Sequence, residues 1–253
     1  MNPAFFGPPG EQLLGVHHPP RGTSRGVGVV LCPPAPQEFA RSHWAFRKLA
    51  EQLAKAGFDV LRFDYRGTGD SAGDLSETSP QTWVEDIRRA VKELKAVTGL
   101  RRVSAVGFRL GALLLAQASS EGVALEAVVL WEPVVNAANW MEQLRLVERQ
   151  LHREFNHPPK ETPESLLGFV LSRSQLDQWE ALELTSVPPW PAKTSVVSSN
   201  PSVHLDRLER TLTRRRQPVT FHRLTSAAGD AKTGALLGNE ALEQIVAVLG
   251  GRP

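Results

Sequence analysis

Ser104-Ala105-Val106-Gly107-Phe108-Arg109-Leu110-Gly111-Ala112 decides how this chain folds. The run from Arg102 to Gly107 is apolar enough for a buried strand, and Leu110 to Ser119 is a Leu- and Ala-rich helix. Between them stands Gly-x-x-x-Gly. Small residues at those two places permit a tight strand-to-helix turn that lifts the middle side chain above the sheet, the layout of a nucleophile elbow. An active elbow carries serine in the middle, and here the residue is Arg109. The alternative is a Gly-containing turn with an outward arginine.

Working outward, Val27 to Cys32 is a short apolar run closed by Pro33 and Pro34, a buried strand. Apolar residues at helical spacing predict a helix over Ser42 to Ala56, ended by Gly57. Phe58 to Phe63 is a strand, Pro80 to Ala96 a helix and Ala124 to Trp131 a strand. Such alternation favours an α/β domain with a parallel sheet and right-handed crossovers. From Pro133 to Pro191 no convincing strand is seen. Asn139 to Phe155 and Pro163 to Leu184 read as helices of an insertion over one end of the sheet, closed by Val187-Pro188-Pro189-Trp190-Pro191. Alternation then resumes: strand Lys193 to Ser199, helix Val203 to Arg215, strand Pro218 to Leu224, helix Glu240 to Leu249. The expected organisation is core over 1–132, a helical cap insertion over 133–191, and core again over 192–253.

The 253 residues can bury a full core, and their ordinary balance of 41% apolar and 22% charged residues suits a globular chain. No eighteen-residue apolar run is present to span a membrane, and the first residues lack the features of a secretory signal. A single cysteine, Cys32, excludes an internal disulfide framework and a Cys-rich zinc site. These features point to a bacterial-type cytoplasmic protein. A net charge of +2 is too small to argue for nucleic acid, and Arg214-Arg215-Arg216 reads as a solvated helix end.

Three motifs make the chain resemble the α/β-hydrolase superfamily, in particular its serine-aminopeptidase-like branch and the hydrolase-like proteins associated with exosortase systems. Leu31-Cys32-Pro33-Pro34 with Gln37-Glu38 stands where the oxyanion loop follows the third strand. Phe63-Asp64-Tyr65-Arg66-Gly67-Thr68-Gly69-Asp70-Ser71 matches the superfamily's Asp-x-Arg-Gly-x-Gly-x-Ser turn. Gly107 to Gly111 is the elbow. The resemblance covers nearly the whole chain. It implies an eight-stranded, mostly parallel sheet flanked by helices, with a helical cap, and does not by itself imply hydrolysis.

The resemblance also implies a triad, and this chain departs from it at each place. The elbow holds Arg109, which stays protonated and cannot act as nucleophile. Asn200 stands where the family's acid follows the strand after the cap. The loop after the last strand, Thr225 to Lys232, has no histidine. Three departures together argue against a Ser-His-Asp mechanism.

An elbow residue sits beside a helix N-terminus, which is already partly positive, so a cation there needs an anion close by. Glu132, at the C-terminal end of the next strand, is the first candidate partner. Glu38, in the loop after the earlier strand, is the second. Arginine's planar fork suits a carboxylate or phosphate. Arg109, Glu132 and Glu38 are therefore the candidate reacting groups, either as a pair that only braces the rim or as the floor of a ligand pocket. Cys32, Pro33, Phe108, Leu110 and Asn200 are the candidate ligand contacts.

Other residues read as structural. Cys32 has the character of a small buried apolar residue. His43 reads as a capping or packing residue. His17 and His18 lack a third ligand spaced for zinc. His204 with Asp206 forms a weak acid–base candidate, because i to i+2 spacing turns them to different faces. Asp64, Arg66 and Ser71 order their turn. Trp140, Met141, Leu144, Phe169, Leu176 and Trp179 either line a pocket or form the cap's own core.

The expectation is a hydrolase-like protein without the triad, a binding or accessory protein in a bacterial biosynthetic pathway that takes a small anionic or acyl-containing ligand. The alternative is an atypical enzyme in the same pocket: an isomerase or cyclase with Glu132 or Glu38 as base, or a residual ester or thioester hydrolase using Cys32 or an activated water. No cofactor, metal, nucleic acid or membrane span is expected, and self-association as a homodimer is left open.

Overall fold

The computed structural model describes residues 1–154, 165–189, 192–199, 201–224 and 238–251. The chain opens with strands β1 (Asn2–Phe6), β2 (Leu13–His18) and β3 (Val27–Cys32), then helix α1 (Pro36–Lys55), strand β4 (Asp59–Phe63) and helix α2 (Pro80–Thr98). Strand β5 (Arg102–Phe108), helix α3 (Leu110–Ser120) and strand β6 (Ala127–Trp131) follow. Then come helix α4 (Ala137–Glu154), two short strands β7 (Ser165–Leu166) and β8 (Phe169–Val170), and helix α5 (Arg173–Glu180). Strand β9 (Lys193–Ser198), helix α6 (Val203–Arg214), strand β10 (Val219–Arg223) and helix α7 (Asn239–Leu249) complete it.

The main sheet has eight strands in the order β1-β2-β4-β3-β5-β6-β9-β10. The pairs β1–β2 and β2–β4 are antiparallel and every later pair is parallel. All six residues of β3 are buried, as expected of a strand covered on both faces. Alternation divides its side chains. Val30 and Cys32 join the core shared with α2 and α3, whereas Val29 and Leu31 join the core shared with α1 and α7.

Two elements differ from the sequence expectation in ways that matter for the site. Helix α1 begins at Pro36, six residues before Ser42. Pro36 supplies the preset φ of a first helical position after the extended Ala35. Glu38 is therefore in the first helical turn and not in a loop, and the Ser42 hydroxyl donates to its carbonyl at 3.0 Å. Pro163 to Leu184 is not one helix. Leu167 and Gly168 both take positive φ, which closes a two-residue hairpin between β7 and β8. Helix α5 starts only at Arg173, with Ser172 as N-cap and Gln175 at its third position forming a capping box. Apolar Leu166, Phe169 and Leu171 mimic a helical face in the sequence although they belong to a hairpin.

The segment between β6 and β9 is anchored to the sheet domain by polar and aromatic contacts. The Gln175 amide donates to the carbonyls of Leu75 and Thr78 at 2.8 and 2.7 Å. Trp179 packs on Trp83, which itself stacks on Tyr65. Among the described residues no helix is long and apolar enough to cross a membrane.

Candidate functional site

Arg109 sits alone between β5 and α3 with φ 55° and ψ −118°. A side chain in this region costs about 1–3 kcal/mol and persists only where neighbours over-determine it. Here they do. The Arg109 N–H donates to Trp131 O at 3.0 Å, and its carbonyl accepts from the N–H groups of Ala112 and Val134. The flanking glycines are required by close approach. A Cβ on Gly107 would lie 2.5 Å from Gly111 O, and one on Gly111 would lie 2.2 Å from Pro33 O. The elbow is thus clamped between strand, helix and the loop that follows β3.

The guanidinium of Arg109 donates through Nε to Glu38 Oε1 at 2.9 Å. The second carboxylate oxygen, Glu38 Oε2, is buried and accepts no hydrogen bond from the described residues. The pair is partly accessible, with side-chain exposures of 29% for Arg109 and 20% for Glu38.

Glu132, the first-ranked partner in the sequence, is not the residue that Arg109 pairs with. It does sit at the end of β6, and it is buried with φ 43°. Its carboxylate turns to the end of β9, where it accepts from Ser198 Oγ at 2.9 Å, Ser199 N at 2.6 Å and Ser199 Oγ at 2.7 Å. The early start of α1 gives Glu38 to Arg109, and the serine pair takes Glu132.

Both carboxylates and Arg109 line one cavity of about 420 Å³. Phe108, Val134, Val135, Trp140 and Leu205 form its apolar wall, and Arg41, Asn136, Asn139, Gln143, Ser202 and His204 its polar one. Arg41 escaped the sequence reading. Its signal was the i, i+3 relation to Glu38, visible only once both are known to be helical. The His204–Asp206 couple does not form: His204 lines the cavity while Asp206 pairs with Arg223 at 2.8 Å.

The remaining candidates are dispersed. Cys32 is fully buried, and burial pushes its thiol far above the usual range. Pro33 lines a separate groove beside Asp64, and Leu110 lines a small apolar void with Trp83. Asn200 and the loop from Thr225 to Lys232 lie outside the described residues. His17 bonds Asp59 at 3.0 Å, His18 accepts from Arg62 at 3.1 Å, and His43 donates to Ala40 O. Ser71 donates within its turn to Asp64 O and also accepts from Leu14 N on β2, so it ties the turn to that strand and does not bond only locally. Arg66 braces its turn through Asp86, with Nε to Oδ1 at 2.7 Å. Among the described residues no three His, Cys, Asp or Glu side chains converge on a metal position.

The loop between β3 and the elbow has a further chemical property. Pro33, Pro34 and Pro36 carry no N–H, which leaves Ala35 as the donor there. An oxyanion hole needs preorganised donors converging on one oxygen.

This strand order and strand-to-helix elbow define an α/β-hydrolase fold. The chain belongs to the family described as serine aminopeptidase, S33, whose family model matches residues 39–220. The matched stretch includes Arg109 and Glu132 and begins one residue after Glu38. Among solved structures, it is similar to Est1E from Butyrivibrio proteoclasticus with ferulic acid bound (TM-score 0.71, 14% identity, 98% of this chain and 96% of that one). It is also similar to the proline iminopeptidase of Mycobacterium smegmatis (TM-score 0.69, 13% identity, 99% and 97%). A third is an alpha-beta serine hydrolase homologue from Coxiella burnetii (TM-score 0.63, 15% identity, 99% and 96%). At these identities the likeness concerns the fold. A search of the curated proteins by sequence returned no match.

Proposed function

We propose that this protein is a non-hydrolytic member of its family that binds a small organic ligand in the 420 Å³ cavity, with Arg109 engaging an anionic or carbonyl group of that ligand. The reading takes residues 133–191 as a cap over the core formed by 1–132 and 192–253, and the protein as an accessory or binding component of a bacterial biosynthetic pathway. The observation that carries it is Arg109 itself: a permanent cation on the elbow, tied by one nitrogen to Glu38, with its terminal nitrogens bonded to none of the described residues. Three further features support it. Arginine stands where the family presents serine, Asn200 where it presents the acid, and the segment from Thr225 to Lys232 has no histidine. Of Pro33 to Pro36 in the loop after β3, only Ala35 can offer an N–H to an oxyanion.

Calorimetry with valerate tests the reading. Binding is expected in the native protein and lost in Arg109→Ala. Rapid turnover of p-nitrophenyl acyl esters by the native protein, abolished in Arg109→Ala, refutes it.

A second reading is an isomerase- or cyclase-type enzyme in the same pocket. Glu38 favours it, because it lines the cavity and its Oε2 accepts no hydrogen bond from the described residues, which leaves that oxygen open to a substrate proton. Glu132 suits a base less, since three hydrogen bonds from Ser198 and Ser199 already occupy its carboxylate oxygens. Hydrolysis through Cys32 is disfavoured by its burial. An activity that survives Glu38→Gln and Glu132→Gln excludes these bases.

A further inference from the structure

Arg41 is an exposed arginine on α1 that lines the same cavity and has no ion-pair or hydrogen-bond partner among the described residues. A helical arginine ordinarily pairs with a carboxylate three or four residues away. The residue at that spacing is Glu38, and Arg109 holds it from across the elbow. Arg41 is therefore a cation whose natural partner has been diverted.

The rest of the cavity is also rich in open donors. Arg109 donates through Nε alone. Trp140, 5% exposed, lines the wall and its indole N–H has no acceptor. Ser202 caps α6 without a side-chain bond to the first-turn N–H groups, and Ser202, His204 and Leu205 all line the cavity. Those N–H groups are orphan donors at the positive end of a helix. On the acceptor side, Glu132 already accepts three hydrogen bonds from Ser198 and Ser199, and Glu38, whose Oε2 accepts none from the described residues, is held by Arg109.

Resting on the reading above that the cavity takes an anion, we propose that its ligand is a dianion. Arg109 holds one set of acidic oxygens at the elbow, and Arg41 is a second anchor that sets specificity for the additional charge. A short dicarboxylate and a phosphate monoester share this chemistry.

Isothermal titration calorimetry at low ionic strength tests it with glutarate, phenyl phosphate and the monoanion valerate. The native protein is expected to bind at least one of the dianions about tenfold or more tighter than valerate, the loss of a charge-assisted contact being of that size. Preference for phenyl phosphate assigns a phosphate, and preference for glutarate assigns a dicarboxylate. Arg41→Ala is expected to abolish that preference while changing valerate affinity less than about threefold. Valerate binding with an unchanged dianion preference in Arg41→Ala overturns the role of Arg41 and leaves the anion reading standing. Valerate binding with no dianion preference in the native protein overturns the dianion assignment alone. Absence of binding by all three probes overturns both.

Discussion

Arg109 and Glu38, 71 residues apart in sequence, meet at 2.9 Å between Nε and Oε1 and join the elbow to the first turn of α1. The contact links a positive-φ residue of the elbow to the helix that borders the cavity. A double-mutant cycle over Arg109→Ala and Glu38→Ala is expected to give a coupling of about 1–2 kcal/mol, between the values of exposed and buried pairs. Denaturant unfolding measures it. A coupling of zero would mean that the two groups part in solution.

Close packing predicts the behaviour of Gly111. A methyl there meets Pro33 O at 2.2 Å and Cys32 O at 2.6 Å, both backbone atoms that cannot swing aside. Gly111→Ala is expected to lose about 2–3 kcal/mol. A shift of the urea midpoint reports the loss. A neutral substitution would show that α3 does not press on the β3 loop as described.

Restoring a hydroxyl at the elbow is not expected to restore hydrolysis. Arg109→Ser supplies an oxygen nucleophile but no base, and Pro33, Pro34 and Pro36 still offer no N–H to a tetrahedral oxyanion. Release of p-nitrophenol from p-nitrophenyl butyrate is expected to stay at background. Turnover well above background would locate oxyanion donors elsewhere.

Acid is expected to destabilise the fold through His18. Its burial, reinforced by the Arg62 cation that donates to its Nε2, holds its pKa at about 4, below the ordinary 6.5. The neutral ring is therefore favoured in the folded state. Its contribution is intact above pH 6.5, and stability falls as pH drops from 6.5 towards 4, where the unfolded chain binds the proton more readily. The loss is of order 1 kcal/mol after solvent screening. Thermal unfolding at pH 7 and pH 4.5 measures it, and His18→Gln is expected to flatten the slope over that interval. An equal slope in the variant assigns the acid effect to other groups.

Local rules made much of this legible in the sequence. Val27 to Cys32 is a strand because an apolar run closed by prolines has few other uses, and the structure ends β3 at Cys32. Gly107 and Gly111 marked the elbow because only a missing Cβ allows the approach seen there. The hairpin at Leu167-Gly168 was hidden, since its apolar residues fit helical and strand periods alike over so short a run.

The sequence by itself determined the alternation of strands and helices from β3 to β6 and again from β9 to α7, and the cation at position 109, because periodicity, prolines and glycines act between neighbours along the chain. Tertiary structure alone decided which carboxylate meets that cation. From sequence both were candidates, Glu132 at the end of one strand and Glu38 in the segment after another. The choice depended on the first turn of α1 swinging Glu38 over the elbow and on the Ser198–Ser199 pair drawing Glu132 away. Pairing of charges is a matter of distances in space, and spacing along the chain does not encode them.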